Sequence, residues 1–406
     1  MTQLIGRRLA LGGLGALFGW GYMPRLSSAA GTRDPRLLVL VLRGGMDGLA
    51  AVPALGDPAF DEARHAPELR EAGATTPLDS FFALNRNMPE LAAMYRDRQA
   101  LVLHAVASPY RGRSHFDGQD VLESGAPAVS TGGRTGWLNA ALALLPHGER
   151  VAAPRGLGIA ATVPLILRGP ASVETWQRQV YRYADDDTVA RLLDLYEARD
   201  PALAEALRAG AALDGTMRNG EDAADGMAVP GTPLNFAADA AAAARFMARP
   251  DGPRIGAISY GGWDTHAEQG SVTGRLGRNL AALDQALGAL KAGLAPVWQD
   301  TVVAVVTEFG RTVRVNGTRG TDHGTATVAL LLGGAVRGGR VLTDWPGLAT
   351  AQLFEGRDLA PTTDIRAAMK GMLAEHLGLD EQRLGSQVFA ESAGVRPLRG
   401  LVGRHA

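Results

Sequence analysis

Eight side chains in this sequence combine acid–base and metal-ligating chemistry with positions near the ends of apolar runs. They are Asp47, Ser114, His115, Asp264, His266, Glu308, Asp322 and His323. Carboxylates and imidazoles without thiolates suit zinc, manganese, calcium or magnesium. They also suit general acid–base work. The chain has no cysteine, which excludes disulfides, thiolate nucleophiles, Cys-ligated zinc and a cysteine-derived formylglycine. Asp264 and His266 are two residues apart, so an extended backbone turns both toward one ion. Ser114-His115-Phe116-Asp117 resembles a capping box with Asp at its last position. Ser114 therefore reads as a helix cap and, at that electropositive terminus, also as a nucleophile.

Such residues can meet only if the intervening elements bring them together. Leu37–Arg43 (LLVLVLR), Leu101–Val106 (LVLHAV), Ile255–Ser259, Val302–Val306 and Val328–Leu332 are short apolar runs bounded by turn residues. Runs of that kind are buried strands of a parallel sheet, and ligands bind beyond the carboxyl ends of such strands. Gly44-Gly45-Met46-Asp47 and Gly261-Gly262-Trp263-Asp264 each follow a strand with two glycines and then an aspartate. Glu308 ends the fourth run, and Asp322-His323 precede the fifth. His104 lies inside a strand and reads as a core histidine. The leucines at 276, 280, 283, 287, 290 and 294 mark a core-facing helix. Helices are also expected over 87–98, with Asn87 as cap, and over 188–213, 235–247 and 363–377. Residues 214–232 read as a flexible connector. The expected fold is α/β, a mostly parallel sheet with helices on both faces.

The sequence has 406 residues, with 41 basic against 42 acidic, and 46% of it is hydrophobic. This supports a sizeable core and argues against nucleic acid as a partner. All but two of the basic residues are arginines, which suit bidentate contact with anions. Arg113 and Arg311 lie beside the clustered groups and are the expected anion contacts. Arg7-Arg8, an apolar stretch from Leu9 to Trp20, and Ser28-Ala29-Ala30 have the layout of a twin-arginine export signal over residues 1–30. The expected localisation is periplasmic or otherwise exported. No stable membrane span is expected once the signal is cleaved.

GGMDGL, RSHFDGQD, YGGWDTH, TEFGRT and GTDHGTATVALLLGG, in that order, resemble the hallmark segments of the domain of unknown function 1501 family of exported bacterial proteins. That family is grouped with the alkaline-phosphatase-like fold, which includes sulfatases. The resemblance implies a single domain over residues 31–406 with inserted loops. It implies metal ligation by Asp47, Asp264, His266, Glu308 and His323, with Ser114 as nucleophile and His115 beside it. Where the superfamily carries Asp-His-Gly, this chain has Glu308-Phe309-Gly310, and its Asp-x-His spacing is shorter. Both departures point to one metal, or a different one. The implied activity is metal-dependent hydrolysis of a phosphate or sulfate ester, with a small anionic ester or glycan as substrate. The alternatives are a non-catalytic exported binding protein and, more remotely, a metal-free Ser114/His115 acyl hydrolase. No Gly-x-Ser-x-Gly elbow surrounds that serine.

Overall fold

The computed structural model describes residues 33–129, 135–146, 155–178, 186–218 and 235–403. The export-type segment and residues 219–232 of the connector lie outside them. The chain divides between Asp34 and Pro35, and the elements below belong to the unit Pro35–Ala406.

The strands are β1 (Arg36–Leu42), β2 (Thr75–Pro77), β3 (Ala83–Asn85), β4 (Ala100–Ala107), β5 (Gly156–Ile159), β6 (Val173–Trp176), β7 (Ile255–Tyr260), β8 (Thr301–Thr307), β9 (Thr327–Leu332), β10 (Arg340–Leu342) and β11 (Thr363–Asp364). β2 and β3 form a separate hairpin. The main sheet runs β10-β4-β9-β8-β1-β7-β5-β6, with β11 also paired to β4. β8, β1, β7, β5 and β6 are parallel neighbours, whereas β9 runs antiparallel to both β8 and β4. The fold is thus α/β with a mostly parallel sheet, as the apolar runs imply.

Alternation along β1 explains the two layers. Leu38, Leu40 and Leu42 pack into one core and Leu37, Val39 and Val41 into the other. The first core receives helices Pro89–Arg96, Phe236–Met247 and Arg275–Gly293; the second receives Trp137–Ala143 and Ile365–Leu377. All six leucines of the 276–294 pattern are buried. The helical stretch expected over 188–213 is two helices, Asp186–Arg199 and Pro201–Arg218, because Pro201 cannot continue the first. The second runs through 214–218, so that part of the expected connector is helical. Helix Pro89–Arg96 is not capped by Asn87, whose side chain bonds Asn85 and Val272 O. Asp284 of the packed helix instead accepts from the backbone N–H groups of Glu90 and Leu91, at 2.9 and 2.8 Å.

Register sets the working edge. Leu42 lies opposite both Tyr260 and Thr307, so β1, β7 and β8 end level with one another. Their following loops carry Asp47, Asp264 and Glu308. Because β9 is reversed, it starts at that same edge, with Thr327 opposite Val106 of β4. The loop from β8 to β9 turns back without crossing the sheet, as an antiparallel connection can. It thereby delivers His323 beside Glu308.

Candidate metal centre

Helix His115–Ser124 brings the first imidazole. Ser114 is its N-cap, with Oγ accepting from Asp117 N at 3.5 Å. One helix face then carries His115, Gln119 and Glu123, spaced four apart. His115 Nδ1 meets Glu308 Oε1 at 2.8 Å, and Gln119 Nε2 donates to the same oxygen at 3.1 Å. Arg43, leaving β1, donates to Gln119 and pairs with Glu123.

Asp264 arrives on the loop after β7. Gly44 makes room for it: its φ is +120°, and a Cβ there would stand 2.4 Å from Asp264 N. Trp263 is fully buried, which anchors the loop. Buried Arg311 fixes the carboxylate, with Nη1 2.6 Å from Asp264 Oδ1. Burial pushes the Asp264 carboxyl up, but the Arg311 hydrogen bond and charge outweigh it and leave the pKa below its ordinary value.

Three imidazoles face this carboxylate. Asp264 Oδ1 lies 3.0 Å from His266 Nε2 and 3.3 Å from His323 Nε2, while Oδ2 lies 3.4 Å from His115 Nε2. The Nε2 atoms of His266 and His323 are 2.9 Å apart. Candidate ligand atoms of His115, Asp264 and His323 fall within 4.8 Å of one another; His266, more exposed, is not in that group but has its Nε2 3.0 Å from Asp264 Oδ1. Each imidazole presents its other nitrogen to an acceptor: Glu308 for His115, the Arg113 carbonyl at 2.8 Å for His323, and Asp322 Oδ1 at 3.3 Å for His266. An acceptor at Nδ1 places the N–H there and leaves the Nε2 lone pair of the neutral ring pointing at the centre.

Those converging lone pairs repel unless a proton or a metal ion lies between them. His115 Nε2 is buried and faces Asp264 Oδ2 at 3.4 Å without hydrogen-bond geometry, a cost that coordination removes. A tetrahedral site with metal–ligand bonds of about 2.0–2.1 Å has its ligand atoms about 3.3 Å apart. The Asp264–imidazole spacings of 3.0, 3.3 and 3.4 Å and the His266–His323 spacing of 2.9 Å fit. The Glu308 hydrogen bond raises the His115 pKa against the opposing effect of burial, whereas burial lowers that of His323.

The remaining expected site residues lie elsewhere or are already engaged. Asp47 is buried away from the imidazoles: Oδ1 accepts from Ala50 N, while Oδ2 accepts from Arg64 and, at 2.6 Å, from Gln269 Nε2. The geometry does not bring it to the centre, because a buried carboxylate must be compensated and Arg64 does this. Arg64 ends the short helix Phe60–Arg64, and no motif in the sequence marks it as the partner of Asp47. Glu308 reaches His115 Nδ1, not the Nε2 side expected of a ligand. Arg113 pairs with Glu355 at 2.6 Å and with Asp358 at 2.7 Å, and contributes its carbonyl to His323. Arg311 is consumed by Asp264, Gly44 O and Thr321. Neither arginine is an open anion clamp. His115, expected in catalysis, takes a ligand's position; the sequence signal was a histidine directly after a helix cap.

Among solved structures, the chain is similar to PsFucS1 sulfatase from Pseudoalteromonas sp., at 12% identity over 99% of this chain and 78% of that one, with a TM-score of 0.39. It is similar to Ps i-CgsB in complex with k-i-k-neocarrahexaose, at 11% identity over 90% and 77%, with a TM-score of 0.40. It is also similar to the phosphonate monoester hydrolase of Agrobacterium radiobacter, at 12% identity over 85% and 74%, with a TM-score of 0.33. Likeness at these scores establishes neither activity nor substrate. No curated protein matches. Residues 45–389 match the family model described as "Protein of unknown function (DUF1501)", and the chain belongs to that family.

Proposed function

We propose that this protein is an exported metal-dependent hydrolase of phosphate or sulfate esters, with His115, His266, His323 and Asp264 holding one divalent ion. The observation that carries this reading is the convergence of three imidazole Nε2 atoms on one carboxylate, each ring held at its far nitrogen by an acceptor. Three imidazoles and one carboxylate suit zinc or manganese better than calcium or magnesium, which prefer all-oxygen sites. Side chains of Asp264 and His266 are 40% and 47% exposed, so the centre is open to solvent and to a small substrate. With four protein ligands, an ester oxygen or water would enter as a fifth ligand, an expansion known for catalytic zinc. Once bound, such an ion supplies Lewis acidity toward an ester oxygen.

The chain's own residues define the rest. Arg311 keeps Asp264 ionised, and the acceptors at Nδ1 keep the three Nε2 atoms aimed at the centre. Ser114, beside His115 at a helix N-terminus, is the proposed nucleophile; its hydroxyl caps the helix and is not hydrogen-bonded to His115. The capping bond of Ser114 and the Glu308 bond of His115 lend the metal-free acyl-hydrolase reading no support. Export rests on the Arg7-Arg8 segment. Among the described residues, no helix is long and apolar enough to cross a membrane.

Elemental analysis of the purified wild type beside an Asp264→Ala/His323→Ala double variant tests the reading. The expected result is stoichiometric zinc or manganese in the wild type only, with hydrolysis on a panel of phosphate and sulfate esters lost in the variant. A folded wild type that takes up no metal on reconstitution would sink it. The engagement of both Arg113 and Arg311 favours a second reading, a non-catalytic binding protein. Metal uptake without hydrolysis on that panel would support it.

A further inference from the structure

We infer that Glu308 is a positioning residue that tunes the metal centre through His115 and makes no bond to the ion itself; this rests on the metal reading above. Glu308 is fully buried at the end of β8. Its Oε1 accepts from Gly44 N at 2.8 Å, from His115 Nδ1 at 2.8 Å and from Gln119 Nε2 at 3.1 Å. Its Oε2 accepts from Thr307 Oγ1 at 2.9 Å. Three donors crowd Oε1, one more than its two lone pairs accommodate, while Thr307, whose one hydroxyl proton also faces Leu42 O at 2.7 Å, stands beside Oε2. Oε1, the oxygen that meets the imidazole, therefore has little capacity left for a direct metal bond.

The same arrangement fixes the His115 ring. Phe309 stacks against it at 4.9 Å between centroids and 30° between planes. Gly118, one turn along the helix, has no Cβ; one there would come within 3.1 Å of the Phe309 ring and 3.3 Å of Glu308 Cβ. The ring is thus held in plane by Phe309 and in rotation by Glu308. A carboxylate that accepts the far N–H of a ligating imidazole orients it and raises its basicity. The geometry gives Glu308 that place, and the helix His115–Ser124 is fastened to the end of β8 by the same bond.

The test is a double-mutant cycle on metal affinity, using cobalt(II) and zinc with wild type, Glu308→Gln, His115→Ala and the combination. Glu308→Gln should weaken binding about 10–100-fold, the usual cost of losing such a partner. The double variant should bind no more weakly than His115→Ala alone, because without the ring Glu308 has nothing to position. At saturation the cobalt spectrum of Glu308→Gln should match the wild type, while that of His115→Ala should shift as a nitrogen ligand is lost. Glu308→Asp, which keeps the buried charge but withdraws it from Nδ1, should fall between wild type and Glu308→Gln. Additive losses, or a shifted cobalt spectrum in Glu308→Gln, would overturn the inference while leaving the metal reading intact. Failure of both Glu308 variants to fold would overturn it too, by making the residue structural. A wild type that binds neither metal would overturn both.

Discussion

His104 lies inside β4, and His115 begins the helix that follows it. Local sequence separates them: one sits within an apolar run, the other directly after a cap. The structure bears out His104 as a core histidine. It accepts from Ala105 N at Nδ1 (2.8 Å), faces Val52 O with Nε2 (3.0 Å) and stacks on Phe82. Burial lowers its pKa to about 4, against the smaller upward effect of the Val52 hydrogen bond. The native state therefore binds fewer protons than the unfolded chain between about pH 4 and pH 6.5, and stability rises with pH through that window. The contribution, fully present above about pH 6.5, is about 3 kcal/mol and is lost as pH falls to about 4. His104→Leu should flatten that part of the profile. It should also destabilise the protein at pH 7 by about 1–3 kcal/mol for each backbone group left unpartnered. Urea unfolding at pH 4.5 and 7 checks both.

At the level of elements, the helix His115–Ser124 couples fold to site. Its cap is the proposed nucleophile, its first residue a proposed ligand, and its Gln119 and Glu123 tie it to Glu308 and Arg43. Ser114→Ala should cost about 1 kcal/mol through loss of the cap. Ser114→Asp should keep the cap and regain that stability without regaining hydrolysis. Thermal unfolding and ester turnover measured on both variants separate capping from chemistry; full turnover in Ser114→Ala would remove the nucleophile assignment. The helix start was legible from Ser-x-x-Asp spacing. The capping of helix Pro89–Arg96 was not, because Asp284 lies 194 residues from Glu90 and only packing brings it there.

Across the whole molecule, the centre links the loop after β7, the loop between β8 and β9, and the helix after β4. These segments meet only in the folded state. Metal bound there should therefore stabilise the fold, by about 2.7 kcal/mol at a free concentration one hundred times Kd. Chelation should lower the urea midpoint of the wild type and leave that of the Asp264→Ala/His323→Ala variant unmoved. An unchanged wild-type midpoint after metal removal would argue against a site shared among these loops.

The sequence by itself determined the five long strands β1, β4, β7, β8 and β9, though not the reversed direction of β9, and most of the side chains that gather at the working edge. Apolar runs and paired glycines are local signals, and Asp264, His266, His323 and His115 follow them directly. Tertiary structure decided how those side chains divide the work. Asp47 and Glu308 are both carboxylates after buried strands, yet Asp47 is neutralised by Arg64 and Glu308 holds His115. Arg311 serves Asp264 and is closed to an anion. A carboxylate's role depends on which donors stand within about 3 Å of it. In this sheet those donors come from segments up to about 260 residues away, brought level by strand register and by the reversal of β9.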